Sequence, residues 1–217
     1  MKRKFSFFSF WLLLALGAAT LMFNSCSKDD SGNSSSSEQG VVINGVKWAT
    51  RNVDKPGTFA ANPESAGMFY QWNSKKAWAT TGNVTGWTGW DDSDPVGGEW
   101  EKANDPSPAG WRVPTLDELL TLCDTNKVSH ERTIQNSKTG MIKFTDKATG
   151  NSIILPIVGY RDDWNYIYIY DETDTEDGII GCYWSSTSQY WMYLSIHGCY
   201  CAETDGFVGL CIRPVAE

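Results

Sequence analysis

The sequence predicts an α+β domain made of short antiparallel strands, one or two helices and long tryptophan-rich loops. Asn44-Gly45 lies between two short apolar runs, which is the pattern of a tight β-hairpin. Thr115 and Glu118 precede an apolar stripe in the spacing of a capping box, which predicts a helix. Eleven Trp, nine Tyr and nine Phe beside 20 Gly suit an irregular core in which aromatic side chains fill the space between loops.

The first part of the domain combines one hairpin with a long irregular stretch. The hairpin covers residues 41–50. Residues 68–72, Met-Phe-Tyr-Gln-Trp, fit either a strand or a short aromatic plug. Residues 79–110 form the longest irregular stretch, and a loop of this length in a compact domain must be held by its own side chains. The expected anchors are Trp87, Trp90 and Trp100.

The helix is predicted over residues 115–124. The Thr115 hydroxyl and the Glu118 carboxylate each accept a hydrogen bond from the other residue's backbone N–H in a capping box. Apolar residues then recur at spacings of three and four, which predicts one buried face. These residues are Leu116, Leu119, Leu120 and Cys123.

The second part of the domain is predicted to be mostly strands. Residues 142–145 and 152–159 flank the turn sequence at 146–150 and form a second hairpin. A loop flanked by Gly198 and Gly206 precedes the last strand. The further predicted strands are 179–187, 190–197 and 207–213.

Residues 1–25 have the pattern of a lipoprotein signal peptide. Three basic residues at 2–4 precede an almost wholly apolar run over residues 5–23. A single membrane-spanning anchor is the alternative interpretation of a run this long. Because Asn-Ser-Cys26 follows the run where signal peptidase II would cut, we expect cleavage before Cys26 and acylation of its thiol with palmitate or a similar chain.

Residues 26–40 are predicted to be a flexible tether, since they are rich in Ser, Gly and Asn and lack apolar periodicity. The Ser-Lys-Asp-Asp sequence at 27–30 is similar to the acidic export tag of Bacteroidetes surface lipoproteins. A plain polar tether is the alternative. Together these segments predict a protein that is lipid-anchored in the outer membrane and exposed on the cell surface.

The rest of the chain, residues 41–217, is predicted to be a single domain. The signal peptide carries three positive charges and no acid, so its removal takes the net charge from −8 to −11. An acidic chain without a basic cluster argues against binding to nucleic acid, or to anionic lipid through the protein surface. Contact with the membrane is therefore expected only through the lipid at Cys26.

Two segments resemble a known family. One is Pro-Ala-Gly-Trp-Arg-Val-Pro-Thr-Leu-Asp-Glu-Leu-Leu at 108–120. The other opens with Gly-Cys-Tyr-Trp-Ser-Ser-Thr at 181–187 and closes with Cys-Ile-Arg-Pro-Val at 211–215. Together they resemble the Fibrobacter succinogenes major paralogous domain, a C-type-lectin-like module of Bacteroidetes surface lipoproteins, over roughly residues 41–215. The resemblance implies a C-type-lectin-like fold, a last strand that pairs near the first, and a displayed binding protein.

Catalysis has little support in the sequence, and we expect no enzyme activity. His130 and His197 are the only histidines, and the nucleophile-elbow and zinc-protease motifs are absent. His130 beside Glu131 is interpreted as a solvated position between helix and loop. The formylglycine-generating enzymes share a lectin-like core and a related Gly-Trp-Arg-x-Pro-Thr element, but their reactive cysteine pair is not recognisable here.

We also expect no cofactor and no metal. The acidic segment at 171–177 superficially resembles the start of an EF-hand. However, Thr173 stands at the first ligand position, and Trp184 stands where the bidentate glutamate is needed. The sugar-binding signatures of calcium-dependent lectins are missing as well. A solvated acidic loop is the preferred interpretation, and weak cation binding is the alternative.

An odd number of cysteines follows Cys26. Export permits disulfides, but an odd count leaves at least one thiol free or bonded to another chain. Cys199 and Cys201 would face the same side of a strand, where they are poorly placed to bond each other. Cys123 is expected to act as a small buried apolar residue. The sequence pairs none of the five: Cys123, Cys182, Cys199, Cys201 and Cys211.

The C-terminal stretch is the predicted binding site. If Leu194 and Ile196 face the core, the alternate residues of the same strand face outward. Tyr and Trp supply large contact area at little entropy cost, while Ser, His and Asp add adaptable hydrogen bonds. The alternative is that Trp191 and Tyr193 are core aromatics. The predicted ligand-binding residues are Trp191, Tyr193, Ser195, His197, Tyr200, Ala202, Glu203, Asp205 and Phe207.

The predicted function is a surface lipoprotein that binds a protein or glycan ligand. The alternatives are an accessory or tip subunit of a pilus-like assembly and a degenerate relative of the formylglycine-generating enzymes. The resemblance adds one further hypothesis, because lectin-like proteins with a Trp-Ser-Ser-Thr element and a final Arg-Pro are frequent targets of diversity-generating retroelements. Such elements would vary outward residues, among them Tyr193, Ser195, His197 and Tyr200.

Overall fold

The computed structural model describes residues 39–82, 89–136, 139–162, 166–168, 179–195 and 198–217. The chain divides into two units, Met1–Ser36 and Ser37–Glu217. The signal peptide, Cys26 and most of the predicted tether lie outside the described residues. Everything below concerns the second unit.

The second unit is mostly β, and the predicted α+β class with a C-type-lectin-like arrangement is wrong. Its described residues are 42% strand and 7% helix, with several small antiparallel sheets. One α-helix, α1 (Leu116–Cys123), is present among the described residues, together with a short 3-10 turn at Lys102–Asn104. The class was wrong because many strands have only two or three residues, too few to show a sequence period.

The strands are numbered in chain order. They are β1 (Val41–Ile43), β2 (Val46–Trp48), β3 (Phe69–Tyr70), β4 (Ala77–Trp78), β5 (Trp111–Arg112), β6 (Val128–Asn136), β7 (Thr139–Asp146), β8 (Ser152–Ile157), β9 (Tyr160–Arg161), β10 (Ile167–Tyr168), β11 (Gly181–Trp184), β12 (Tyr190–Ser195), β13 (Gly198–Glu203) and β14 (Val215–Ala216). They form one four-stranded sheet, two three-stranded sheets and two two-stranded sheets.

The four-stranded sheet has the order β1-β2-β14-β5. Its first hairpin confirms the prediction, because Asn44 and Gly45 take φ values of 45° and 85° in the turn. Strand β14 pairs with β2 through Val215 and Trp48, and with β5 through Val215 and Arg112. A last strand therefore lies beside the first hairpin, but it is β14 rather than the strand predicted at residues 207–213.

The capping box of α1 is confirmed. The Thr115 hydroxyl accepts the Glu118 N–H at 3.3 Å, and the Glu118 carboxylate accepts the Thr115 N–H at 2.8 Å. Arg112 donates two hydrogen bonds to the same carboxylate, at 2.6 and 2.8 Å. The predicted buried face is only partly right, since Leu119 is buried but Leu120 is 45% exposed, and the buried Leu122 was not predicted.

Strands β6, β7 and β8 form a meander that includes the second predicted hairpin. The Asp146 carboxylate accepts hydrogen bonds from the N–H groups of Asn44, Ala148 and Thr149, and these bonds hold the pKa of Asp146 below its ordinary value. The two hairpins are therefore joined through one carboxylate.

His130 does not occupy a solvated helix-to-loop position, as the sequence suggested. It lies half-buried on β6, with its Nε2 atom 2.7 Å from the Leu122 carbonyl at the end of α1. Its ring contacts Phe144 with centroids 4.8 Å apart. Pairing of β6 with β7 places His130 against the helix, and the sequence around His130 does not predict that pairing.

The third sheet, β11-β12-β13, separates two core clusters. On one side lie Met192 and Leu194, packed with residues of α1 and of the β6-β7-β8 sheet. On the other side lie Tyr193 and Trp184, packed with residues that include Trp72 and Trp100. Because side chains alternate along a strand, a sheet buried on both faces shows no polar face in its sequence.

A disulfide bond joins Cys123 of α1 to Cys199 of β13. The prediction that Cys123 acts as a simple buried apolar residue is therefore wrong. Cys182 and Cys211 are free and buried, and Cys201 is free and half-buried. Within the described residues, no helix is long and apolar enough to cross a membrane.

Two of the tryptophans expected to anchor the irregular stretch do so. Trp90 packs against Trp78 with ring centroids 5.0 Å apart, and Trp100 packs against Trp72 at 5.8 Å. Trp87 lies outside the described residues. The long stretch between β4 and β5 is therefore attached to both core clusters.

Candidate binding surface on the C-terminal sheet

Antiparallel pairing of β12 and β13 brings most of the predicted site residues onto one face. Trp191 pairs with Ala202, Tyr193 with Tyr200, and Ser195 with Gly198. Residues directly opposite each other in an antiparallel pair project to the same side. Five of the predicted site residues therefore share a face: Trp191, Tyr193, Ser195, Tyr200 and Ala202.

Strand β13 replaces most of the loop that was predicted to carry the site. Tyr200, Ala202 and Glu203 lie in β13, and only Asp205 and Phe207 lie beyond it. The segment Gly-Cys-Tyr-Cys-Ala-Glu has the small and polar composition of a loop, but β12 supplies a complete set of partners for it. Conversely, residues 207–213, predicted as a strand, make only isolated bridges.

A continuous series of five aromatic rings runs along this face, and we call it the aromatic row. Tyr168 stacks on Tyr160 with centroids 5.2 Å apart, and Tyr160 meets Trp191 at 5.9 Å. Trp191 lies 5.5 Å from Tyr193, which lies 5.1 Å from Tyr200. Each ring therefore contacts the next.

Burial changes along the aromatic row. Tyr193 is 7% exposed and belongs to the second core cluster, while Trp191 and Tyr160 are half-buried against that cluster. Tyr200 is 49% exposed. The most buried ring, Tyr193, therefore lies between three half-buried rings and the exposed Tyr200, so a core residue supports the ring that reaches the surface.

Two rings of the row, Tyr160 and Tyr168, were missed in the sequence analysis. They lie opposite each other in the two-stranded sheet β9-β10. The alternating sequence Tyr-Ile-Tyr-Ile-Tyr at 166–170 was a usable signal, because alternation predicts a strand with all its tyrosines on one side. What the sequence lacked was any sign that this strand would lie beside Trp191.

Two predicted site residues point to other parts of the surface. Glu203 pairs with Tyr190 on the opposite face of the sheet, and its carboxylate accepts the Tyr190 hydroxyl at 2.9 Å. This hydrogen bond raises the pKa of Tyr190. Phe207 lies beside a separate cavity of about 350 Å³, where its carbonyl accepts a hydrogen bond of 2.9 Å from Gln71.

The remaining predicted positions bear little on this surface. Asp205 is exposed. His197, Ile196 and the acidic segment at 171–177 lie outside the described residues. Within the described part of the chain, no group of three or more His, Cys, Asp or Glu residues is arranged to hold a metal ion.

Comparison with known proteins adds no relative to this description. No protein family, no curated protein and no solved structure matches the chain. The resemblance to the Fibrobacter succinogenes major paralogous domain therefore stays a prediction from two sequence segments.

Proposed function

We propose that the protein is a binding module, and that it contacts a protein or glycan ligand through the exposed end of the aromatic row. The observation that carries this proposal is the series of five rings, joined by four ring contacts, that ends at the half-exposed Tyr200 on β13. Tyrosine and tryptophan are the residue types that dominate binding surfaces, since they combine apolar area with a polar group.

The support for the row lowers the expected entropy cost of binding. Each ring packs against its neighbour, and Tyr193 is held in the core, so little side-chain freedom remains to be lost when a ligand binds.

The proposal includes display on the cell surface by a lipid at Cys26. Its support is the order of segments in the sequence: a basic start, an apolar run, a cysteine and then a flexible polar tether. A tether of this kind would let the binding module reach beyond the lipid headgroups.

We expect Tyr200→Ser to weaken ligand binding at least about tenfold, because an exposed aromatic at the centre of a contact is a common binding hot spot. The melting temperature should change little, because exposed side chains contribute little to stability. The measurement is binding of the purified 37–217 domain to a glycan array and a surface-protein array, with differential scanning fluorimetry in parallel.

Tyr166→Ser is the matched control for this experiment. Tyr166 is 62% exposed and directly precedes β10, yet no described ring contact joins it to the aromatic row. It should leave array binding unchanged. Equal losses in both variants, or no loss in Tyr200→Ser, would contradict the placement of the binding surface.

We expect Cys26→Ser to abolish incorporation of labelled palmitate, because the acyl chain requires this thiol. The measurement is metabolic labelling of cells that express the full chain, followed by fractionation. Cys201→Ser, which alters another free thiol, should retain the label. Labelling that persists in Cys26→Ser would exclude a lipid anchor at this position.

A further inference from the structure

A second recess, lined by no residue of β12 or β13, lies where the two family-like segments meet. It has a volume of about 680 Å³ and lies within the described residues. We call it the Trp cleft, because Trp100 and Trp111 are among its walls. Its size falls in the range of small-molecule sites in proteins.

Backbone hydrogen bonds hold the walls of the Trp cleft together. The Ser186 N–H donates to the Pro114 carbonyl at 2.6 Å, and the Trp100 N–H donates to the Ser186 carbonyl at 2.8 Å. The Leu116 N–H at the start of α1 donates to the Thr187 hydroxyl at 3.2 Å. The cleft is therefore preformed, since its opposite sides are tied across the chain.

The charged side chains that line the Trp cleft are balanced between positive and negative, and most of them are bound to another group. Arg112 is bound at two points by Glu118, and Lys102 lies 2.9 Å from Glu217. The Asp105 carboxylate accepts the N–H groups of Ser107 and Val113 at 2.8 and 3.0 Å. The remaining lining charges are Lys75 and Glu99, one of each sign. A ligand with net charge would therefore gain little here.

Two polar atoms of lining residues lack partners. The indole N–H of Trp100 and the hydroxyl of Ser107 are buried, and neither has a hydrogen-bond partner among the described residues. Buried polar groups are normally satisfied by protein, water or a ligand. Trp100 itself is 8% exposed, so its ring forms part of the cleft wall while its N–H group is enclosed by protein.

We infer that the Trp cleft binds a neutral, polyhydroxylated ligand, namely one to three units of an uncharged glycan. A sugar ring offers hydroxyl groups that both donate and accept, which match the polar residues that line the cleft, among them Ser107, Thr115 and Ser186. Its apolar C–H face suits the indole ring of Trp111 and the ring of Pro108. Because the charges of the cleft are balanced, a charged ligand would lose hydration without gaining an ion pair.

The Trp cleft and the aromatic row are separate proposed sites, although Trp100 of the cleft and Tyr193 of the row belong to the same core cluster. Different residues line the cleft and form the row. Tyr200→Ser should weaken ligand binding at the row and leave saccharide binding in the cleft unchanged. Either proposal can therefore be contradicted while the other stands.

The test uses a panel of neutral oligosaccharides: cellobiose, maltose, xylobiose, lactose and N,N′-diacetylchitobiose. Binding to the 37–217 domain is followed by the indole N–H signals in two-dimensional NMR. We expect at least one saccharide to give saturable shifts of the Trp100 and Trp111 signals at millimolar concentration. A digalacturonate should bind at least about tenfold more weakly than that saccharide.

Ala109→Trp is the blocking variant. Ala109 is exposed, lines the cleft and lies between Pro108 and Gly110 in a turn, so a larger side chain should fill the recess without disturbing the core. Saccharide binding should weaken at least about tenfold. Ala148→Trp, in the exposed turn after β7, is the matched control and should bind as the parent does. If Ala109→Trp does not fold, Ala109→Gln provides a smaller block.

Three outcomes would overturn the inference. The first is a panel with no saturable shift at the two indole signals. The second is equal binding by Ala109→Trp and Ala148→Trp. The third is tighter binding of digalacturonate than of every neutral saccharide, which would show that the cleft selects charge.

Discussion

Cys199→Ser is expected to lower the free energy of unfolding by about 4 kcal/mol. The disulfide closes a chain segment with a sequence separation of 76, and a closed loop of this length removes much of the entropy of the unfolded chain. The bond also ties α1 directly to β13. Loss of the bond should therefore loosen the contact between the helix and the C-terminal sheet.

The measurement is urea unfolding of the parent and the variant, each with and without reductant. The parent should lose stability when it is reduced, whereas Cys199→Ser should be insensitive to reductant. Cys201→Ser is the matched control, because Cys201 lies two residues along the same strand and has a free thiol. It should cost less than 1 kcal/mol, about the effect of an average substitution. A parent that unfolds identically with and without reductant would contradict the prediction.

Burial raises the pKa of the Cys201 thiol to about 12. At neutral pH almost none of it is thiolate, and the thiolate is the species that attacks a disulfide. The bond between Cys123 and Cys199 is therefore protected from exchange with its neighbour in the folded state. Attack by an internal thiol could only exchange this bond for another disulfide, so net reduction of the parent needs an added reductant.

Elements with strong local chemistry were predictable from the sequence. The turn at Asn44-Gly45 requires positive φ angles, and these two residue types tolerate them best. The capping box of Thr115 and Glu118 is complete within four residues, so no distant partner is needed. The turn that contains Asp146 was predictable for the same reason, since its carboxylate binds the N–H groups that follow it.

Elements that depend on distant partners were not predictable. Strand β14 has two residues and exists because β2 and β5 lie on either side of it. Strand β13 has the composition of a loop and becomes a strand through β12. Each of these short strands adds strand content that sequence periodicity does not reveal. Together they make the domain mostly β, whereas the sequence predicted α+β.

The candidate binding surface falls between these cases. Alternation along β12 placed Trp191 and Tyr193 on one face and Leu194 on the other, as the structure has them. Alternation of residue types along a strand does not show which other residues pack against each face of the sheet. Tyr193 is consequently a core residue, as the alternative interpretation had it, while Tyr200 reaches the surface. Tyr160 and Tyr168 come from a separate sheet that no local pattern connects with β12.

The second large effect is expected at Arg213, which is fully buried near the end of the chain. Its Nε donates to the Asn52 side-chain oxygen at 2.8 Å, and its Nη1 donates to the Ala49 carbonyl at 3.2 Å. Asn52 in turn donates to the Ala66 carbonyl at 2.9 Å and to the Tyr183 hydroxyl at 3.4 Å. One guanidinium thus joins the segment after β2 to the segment before β14.

Tyr183 completes this buried network. Burial raises the pKa of its hydroxyl, so the group stays protonated and donates to the Pro156 carbonyl at 2.6 Å. The network therefore extends from β8 through β11 to the two ends of the domain. Within a buried network, removal of one member leaves its partners without donors, and this is more costly than the loss of a single exposed hydrogen bond.

Arg213→Leu is expected to cost about 2–6 kcal/mol of unfolding free energy, because the Asn52 oxygen and the Ala49 carbonyl would each lose a buried hydrogen bond, at about 1–3 kcal/mol apiece. The measurement is thermal and urea unfolding followed by near-ultraviolet circular dichroism. Lys102→Leu is the control, since the Lys102 side chain is 87% exposed and its ion pair with Glu217 should contribute less than about 1 kcal/mol. Arg213→Lys should give an intermediate loss, because it keeps the charge but not the planar fork that reaches two acceptors. Equal stability of Arg213→Leu and Lys102→Leu would show that the buried network does not hold the two ends of the domain together.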